Sequence, residues 1–337
     1  MRETIGHAQT WQRLVGAFDR GQVHHVYLLA GPENIGKTTL ALDFAKLLVC
    51  EAKLPSTEKP CGACATCLRI AHGNYPDVTM VEPEEGKRLL GVDAVRETVV
   101  RMANQAPSAG AWRIFIVPRV ERMTPSTVNA LLKTLEEPPP GVVIVLTTSE
   151  PESLLPTVLS RCQTLMMQPL SAEQVADALV ERWQTPEEEA RLLASLAQGR
   201  LGWAVRASEK PEIREIRTET LDRLAELTAA TRDQRLRASG SLAPDVETAR
   251  ATLALWTLWW RDVTLAACGA THLTSTGERR AEAVRQGRLV GQSRAEAFLR
   301  ELLAAQAGFD ANANPRLTYD VLLLALPSIA GADASRH

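Results

Sequence analysis

Apolar positions in the first half of the chain follow two periods. A short apolar run at Val26 to Ala30 and the stretch Val78 to Val81 read as strands, Arg113 to Val117 as a buried strand, and the continuous β-branched and leucine run Val142 to Thr147 as a strand covered on both faces. Helical spacing takes over between them. Leu40, Phe44, Leu47 and Leu48 mark a helix across Thr38 to Val49, and a second helical stretch lies around Val92 to Met102. Thr124 followed by Pro125 reads as an N-cap with proline at the first helical position. The helix they open runs through Asn129, Leu131, Leu132 and Leu135 until Pro138 to Pro140 stop it. Strand and helix alternate up to about residue 165, which predicts a parallel α/β domain.

After Pro169 the strand pattern ends. Ser171 and Gln174 form a capping box, Leu170 and Val175 are placed as its hydrophobic staple, and Thr185, Pro186 and Glu188 repeat the capping logic one helix later. The polar stretch Glu209 to Glu215, with Pro211, reads as a linker. Three domains are expected: an α/β domain over 1–168, a small helical domain over 169–208, and an all-helical domain over 209–337. In the last, Leu221, Leu224 and Leu227 share one helical face, as do Leu253, Trp256 and Trp260. Asn314 and Pro315 open a final helix through Leu317, Val321, Leu324 and Ala325.

Composition changes the picture little. At 337 residues, 45% hydrophobic and 23% charged, the chain has the profile of a globular protein of about two to three domains. A net charge of -2 argues against a surface that is basic overall and grips nucleic acid everywhere. No apolar run has the length of a membrane span, and the N-terminus lacks the apolar core of a secretory signal. A cytoplasmic location is expected, where a tight cysteine cluster is metal-bound rather than disulfide-bonded.

The candidate chemistry begins directly after the first strand. GPENIGKT, Gly31 to Thr38, has the spacing G-x-x-x-x-G-K-T, in which glycines turn backbone N–H groups inward around phosphate oxygens. The lysine and hydroxyl reach the outer phosphates and magnesium. Gly31, Pro32, Gly36, Lys37, Thr38 and Thr39 are the expected nucleotide-binding residues, with ATP or ADP as the ligand. Hydrolysis needs an aspartate at the end of a later strand to bind magnesium, often with a glutamate beside it. Pro118 and Arg119 follow the strand that ends at Val117, and neither ligates magnesium; Arg119 is expected to put positive charge where the cation belongs. Glu121 is the nearest carboxylate, either a loop acid or a substitute for the missing group.

A metal site is expected within residues 50–67. Cys61, Cys64 and Cys67 at C-x-x-C-x-x-C spacing, with Cys50 upstream, supply the four thiolates of a closed, structural Zn2+ site. Such a site contributes on the order of 10 kcal/mol to ordering a segment with little core of its own. Cys162 and Cys268 have no matching spacing, and Cys268 is expected to be a buried core residue.

NALLKTLEEPPP (Asn129 to Pro140), the triplet Ser160, Arg161 and Cys162, and NANPRL from Asn312 to Leu317 together resemble the clamp-loader branch of the AAA+ proteins, across nearly the whole chain. The resemblance implies an AAA+ P-loop domain with a zinc-binding insert, a helical lid domain and a helical collar domain. Motor members of the γ/τ type carry Asp-Glu at the positions of Pro118 and Arg119. They also carry a phosphate-sensing arginine in a GSLRDA-like motif, matched here by Gly199 to Ala204, with Gly202 at the arginine's position. Both departures fit the δ′ type.

By the same resemblance, Arg161 is an arginine finger acting in trans on a neighbour's ATP site. The bland alternative is a surface or helix-end arginine. The implied partners are γ/τ and δ subunits in a five-membered ring, with the sliding clamp and primed DNA met through the assembly and no membrane. Trp256, Trp259 and Trp260 are either interface anchors or packed core. Two other readings compete: an active γ/τ-like ATPase with Glu121 compensating, and a zinc-containing nucleic-acid-binding protein without ring partners.

Overall fold

A computed structural model describes residues 2–83, 90–210, 212–274, 279–310 and 313–329. The chain forms two compact units: Met1–Trp183 with Ala197–Trp203, and Gln184–Leu196 with Ala204–His337. Pro211 of the expected linker and Asn312 of the NANPRL segment lie outside the described residues.

The first unit is built on a five-stranded parallel sheet. Its strands are β1 (Val26–Ala30), β2 (Val78–Met80), β3 (Arg113–Val117), β4 (Val142–Thr148) and β5 (Gln163–Met166), in the order β2-β3-β4-β1-β5. Every residue of β1, β3 and β4 is buried. The period-2 alternation divides their side chains between two cores. Tyr27, Leu29, Ile114, Ile116, Val143 and Val145 face helices α1 (Ala8–Asp19) and α2 (Lys37–Val49). Val26, Leu28, Phe115, Val117, Ile144 and Leu146 face the helical segments 92–103 and Pro125–Glu136. This is the expected α/β domain.

One strand was not expected. In β5 only Leu165 is buried, while Gln163, Thr164 and Met166 are exposed, so it carries no apolar run; its pairing with Tyr27–Ala30 of β1 makes it a strand. Because all five strands are parallel, the ends of β1, β3 and β4 open at one edge of the sheet. That edge is the place where α/β sheets bind ligands.

Three of the helix-start signals are seen as capping bonds. Thr124 Oγ1 accepts the N–H of Thr127 with Pro125 at the first position of Pro125–Glu136, and Asn314 Oδ1 accepts the N–H of Leu317 at the start of Pro315–Ala325. Ser171 and Gln174 exchange both bonds of the capping box, at 3.0 and 3.1 Å. The linker expectation is corrected. Helix Glu212–Ala229 already contains Glu212 to Glu215, since a charged segment is tolerated on its exposed face.

The second unit is helical. Its core gathers Leu221, Leu224 and Leu227 with Leu253, Trp256, Trp259 and Trp260 from Val246–Ala267, Phe298 and Leu302 from Gln292–Asp310, and Tyr319, Leu322 and Leu323 from the last helix. All three tryptophans are core residues, which removes the interface alternative for them. Trp256 meets Tyr319 edge-on at 5.5 Å and Trp260 meets Phe298 at 4.8 Å, arrangements that add about 0.5–1.5 kcal/mol to simple burial. Cys268 is exposed, contrary to expectation, because it follows the end of Val246–Ala267. On the last helix Leu317, Val321 and Leu324 point to solvent, at 64, 59 and 49% exposure. No helix among the described residues is long and apolar enough to cross a membrane.

Candidate functional site

The phosphate loop leaves β1 at Ala30 and is closed on itself. Gly31 N–H donates to Thr148 O at 3.2 Å. Its φ of 153° and a neighbouring Met167 carbonyl, 2.3 Å from where a Cβ would sit, leave no space for any other residue. Lys37 opens α2 and is buried; its Nζ donates to Gly31 O at 2.6 Å and Pro32 O at 2.7 Å. Burial lowers the Lys37 pKa, and the Glu121 and Glu33 carboxylates oppose that shift. Thr38 and Thr39 lie half-buried in the first turn of α2, so the backbone places all six expected nucleotide residues in one loop and turn.

Several segments hold this loop from behind. His7 Nε2 donates to Ile35 O at 2.9 Å. Asp43 of α2, fully buried, accepts from Glu3 N–H, Thr4 N–H and Thr4 Oγ1 at 2.6 to 3.1 Å, while Arg182 Nη1 donates to Glu3 O at 2.6 Å. Gly202 N–H donates to Asn34 O at 2.8 Å. A Cβ at Gly202 would lie 3.1 Å from that same oxygen, tighter than an ordinary contact.

The end of β3 carries the two residues Pro118 and Arg119. Pro118 is there as read, without a ligand atom. Arg119 is exposed and turns left-handed at φ 53°, with its N–H on Thr147 Oγ1 at 3.2 Å. A short turn, Val120–Arg122, brings Glu121 back. Its Oε1 accepts from Ser149 N–H at 3.3 Å and Ser149 Oγ at 2.8 Å, and its Oε2 is buried without a partner. Ser149 had no sequence signal, because its partner lies 28 positions away.

Arg161 follows the short helix Pro156–Leu159. Its guanidinium donates to Thr157 O at 2.6 Å, Ser160 Oγ at 3.2 Å and Glu136 Oε1 at 2.5 Å. The side chain is 30% exposed, and its Nε is buried without a partner. None of these partners belongs to the chain's own phosphate loop.

The cysteine cluster is assembled. The sulfurs of Cys50, Cys61, Cys64 and Cys67 all lie within 4.8 Å of one another. Cys61 and Cys67 are 3.9 Å apart, close to the ~3.8 Å edge of a tetrahedron with 2.3 Å metal–sulfur bonds. Backbone N–H groups of Ala63 and Cys64 point at Cys61 Sγ, and that of Cys67 at Cys64 Sγ. Those N–H groups bring the Cys61 thiol down to about 6, favouring the thiolate that a metal needs, whereas burial pushes Cys67 up. The four residues can hold a metal ion.

Residues 6–171 match the family described as DNA polymerase III, delta subunit. The chain is 33% identical over 211 residues to DNA polymerase III subunit delta' of Bacillus subtilis, covering 62% of this chain and 61% of that one. It is 36% identical over 184 residues to the subunit delta' of Escherichia coli, covering 55% and 54%. It is also 31% identical over 202 residues to DNA polymerase III subunit tau of Bacillus subtilis, covering 58% of this chain and 35% of that one. The matched region thus spans about three fifths or less of each relative's length.

Proposed function

We propose, from the premise that this chain belongs to the DNA polymerase III delta-prime family of clamp-loader subunits, that it is a subunit which does not itself hydrolyse ATP and completes a neighbour's ATP site with Arg161. The observation that carries this is the end of β3, where Pro118 offers no magnesium ligand. Gly202 supports it. Where motor members carry a phosphate-sensing arginine, this chain has a backbone seated on the loop itself.

Arg161 stands at a helix end, partly exposed, and its ion pair with Glu136 aims the guanidinium while leaving it exchangeable. A neighbour's transferring phosphoryl group would take that guanidinium over as charge develops on it. The phosphate loop, with Gly31, Pro32, Gly36, Lys37, Thr38 and Thr39, holds ATP or ADP, and Cys50, Cys61, Cys64 and Cys67 hold a structural Zn2+. The partners are γ/τ and δ subunits in a ring. The sliding clamp and primed DNA are met through that ring in the cytoplasm. The exposed Leu317, Val321 and Leu324 of the last helix form an apolar stripe suited to a neighbouring subunit's helix.

The test is reconstitution with γ/τ and δ subunits. Arg161→Ala should leave assembly unchanged and lower ATP hydrolysis by the complex steeply, since arginine fingers contribute about 10³ to 10⁵ in rate. Normal hydrolysis by the variant complex would remove the finger assignment. A second reading, a γ/τ-like motor, is favoured by the position of Glu121; steady ATP turnover by the isolated chain, abolished by Lys37→Ala, would establish it instead.

A further inference from the structure

A cavity of about 190 Å³ adjoins the turn that follows β3. Three elements wall it with apolar side chains: Leu146 comes from β4, Leu131 from Pro125–Glu136 and Val158 from the short helix before Arg161. These three are buried, whereas Pro125 and Leu155 of the same lining are exposed, so the cavity reaches solvent. One acid stands in the lining, Glu121. Its Oε1 is taken by the N–H and the hydroxyl of Ser149, and its Oε2 is buried without a hydrogen-bond partner. Ser153, a further polar side chain of the lining, does not serve it, because its hydroxyl donates to Glu150 O at 2.8 Å. A buried carboxylate oxygen left without a donor is costly, and a donor or cation brought to it offsets that cost. The walls thus select an apolar body, and the acid selects a positive charge.

We propose that this cavity binds a small organic ammonium ion, a primary amine on an apolar body about the size of a benzene ring, with Glu121 as its counter-ion. Volume sets the size, since an apolar cavity of roughly 150 Å³ accommodates benzene. Charge sets the head group. An ammonium brings three donors and a positive charge to the carboxylate; a hydrocarbon leaves Oε2 orphaned, and an anionic ligand is repelled. Ser149 stays on Oε1, so the ligand takes the oxygen that the fold leaves unpaired. Neither a bound nucleotide nor a ring of subunits is needed for this site.

Methyl NMR of the full chain, titrated with benzylamine, benzyl alcohol and benzoate, tests this. Benzylamine should shift the methyl signals of Leu131, Leu146 and Val158 and reach saturation. Benzyl alcohol should bind at least about tenfold more weakly, and benzoate not at all. Glu121→Gln keeps an acceptor for Ser149 and removes the charge, and it should bring benzylamine down to the affinity of benzyl alcohol. Equal affinity for the three probes would make the cavity an unselective apolar void and overturn the assignment. Absence of those methyl shifts with benzylamine overturns it as well, and so does a Glu121→Gln chain that binds benzylamine like the wild type. The comparison of the three probes on the wild-type chain decides the matter even if the variant does not fold.

Discussion

Asp43 shows how much of the site depends on single side chains far from the phosphates. Fully buried on α2, it gathers the N–H groups of Glu3 and Thr4 and the Thr4 hydroxyl, drawing the N-terminal segment over the helix that begins with Lys37. Asp43→Ala would orphan those donors. The expected loss is about 2–3 kcal/mol of stability, measured by chemical denaturation, with early proteolysis of residues 2–7. None of this was legible in the sequence, where Asp43 is one polar position on an amphipathic helix and its partners lie 39 and 40 residues upstream. The Glu121–Ser149 pair was hidden for the same reason. Lys37 and the cysteines were legible because their chemistry is written in local spacing.

At the scale of elements, local signals were read well and pairing was not. β1 and β3 fall within the ranges their apolar runs predict, and β4 extends one residue further. β5 exists through its ladder with β1 and left no pattern to find. The cysteine segment is the opposite case. Helix α3 (Ala65–Ala71) starts from Cys64, whose sulfur accepts the N–H of Cys67, so a residue that can hold a metal also caps the helix. Cys64→Ser should therefore remove a stoichiometric metal, read by elemental analysis, and expose residues 50–71 to protease. Retention of the metal would mean that these sulfurs are not its ligands. The stakes are large, since structural zinc sites contribute on the order of 10 kcal/mol.

For the whole molecule, the division into a sheet-based unit and a helical unit with its own tryptophan-rich core makes a single two-state transition improbable. Chelation should lower the melting temperature of one calorimetric transition, that of the unit containing Cys50 to Cys67. The other calorimetric transition, that of the unit whose core holds Trp256, Trp259 and Trp260, should stay in place; a joint shift would show the units to unfold together. The bond from Gly202 to Asn34 has a consequence for substitution at Gly202. An arginine can be introduced at that position only if the loop backbone gives by a few tenths of an ångström, because even a Cβ there lies 3.1 Å from Asn34 O. A side chain at this position is thus controlled by the carbonyl of a loop residue 168 positions earlier in the chain, a constraint that local spacing does not write.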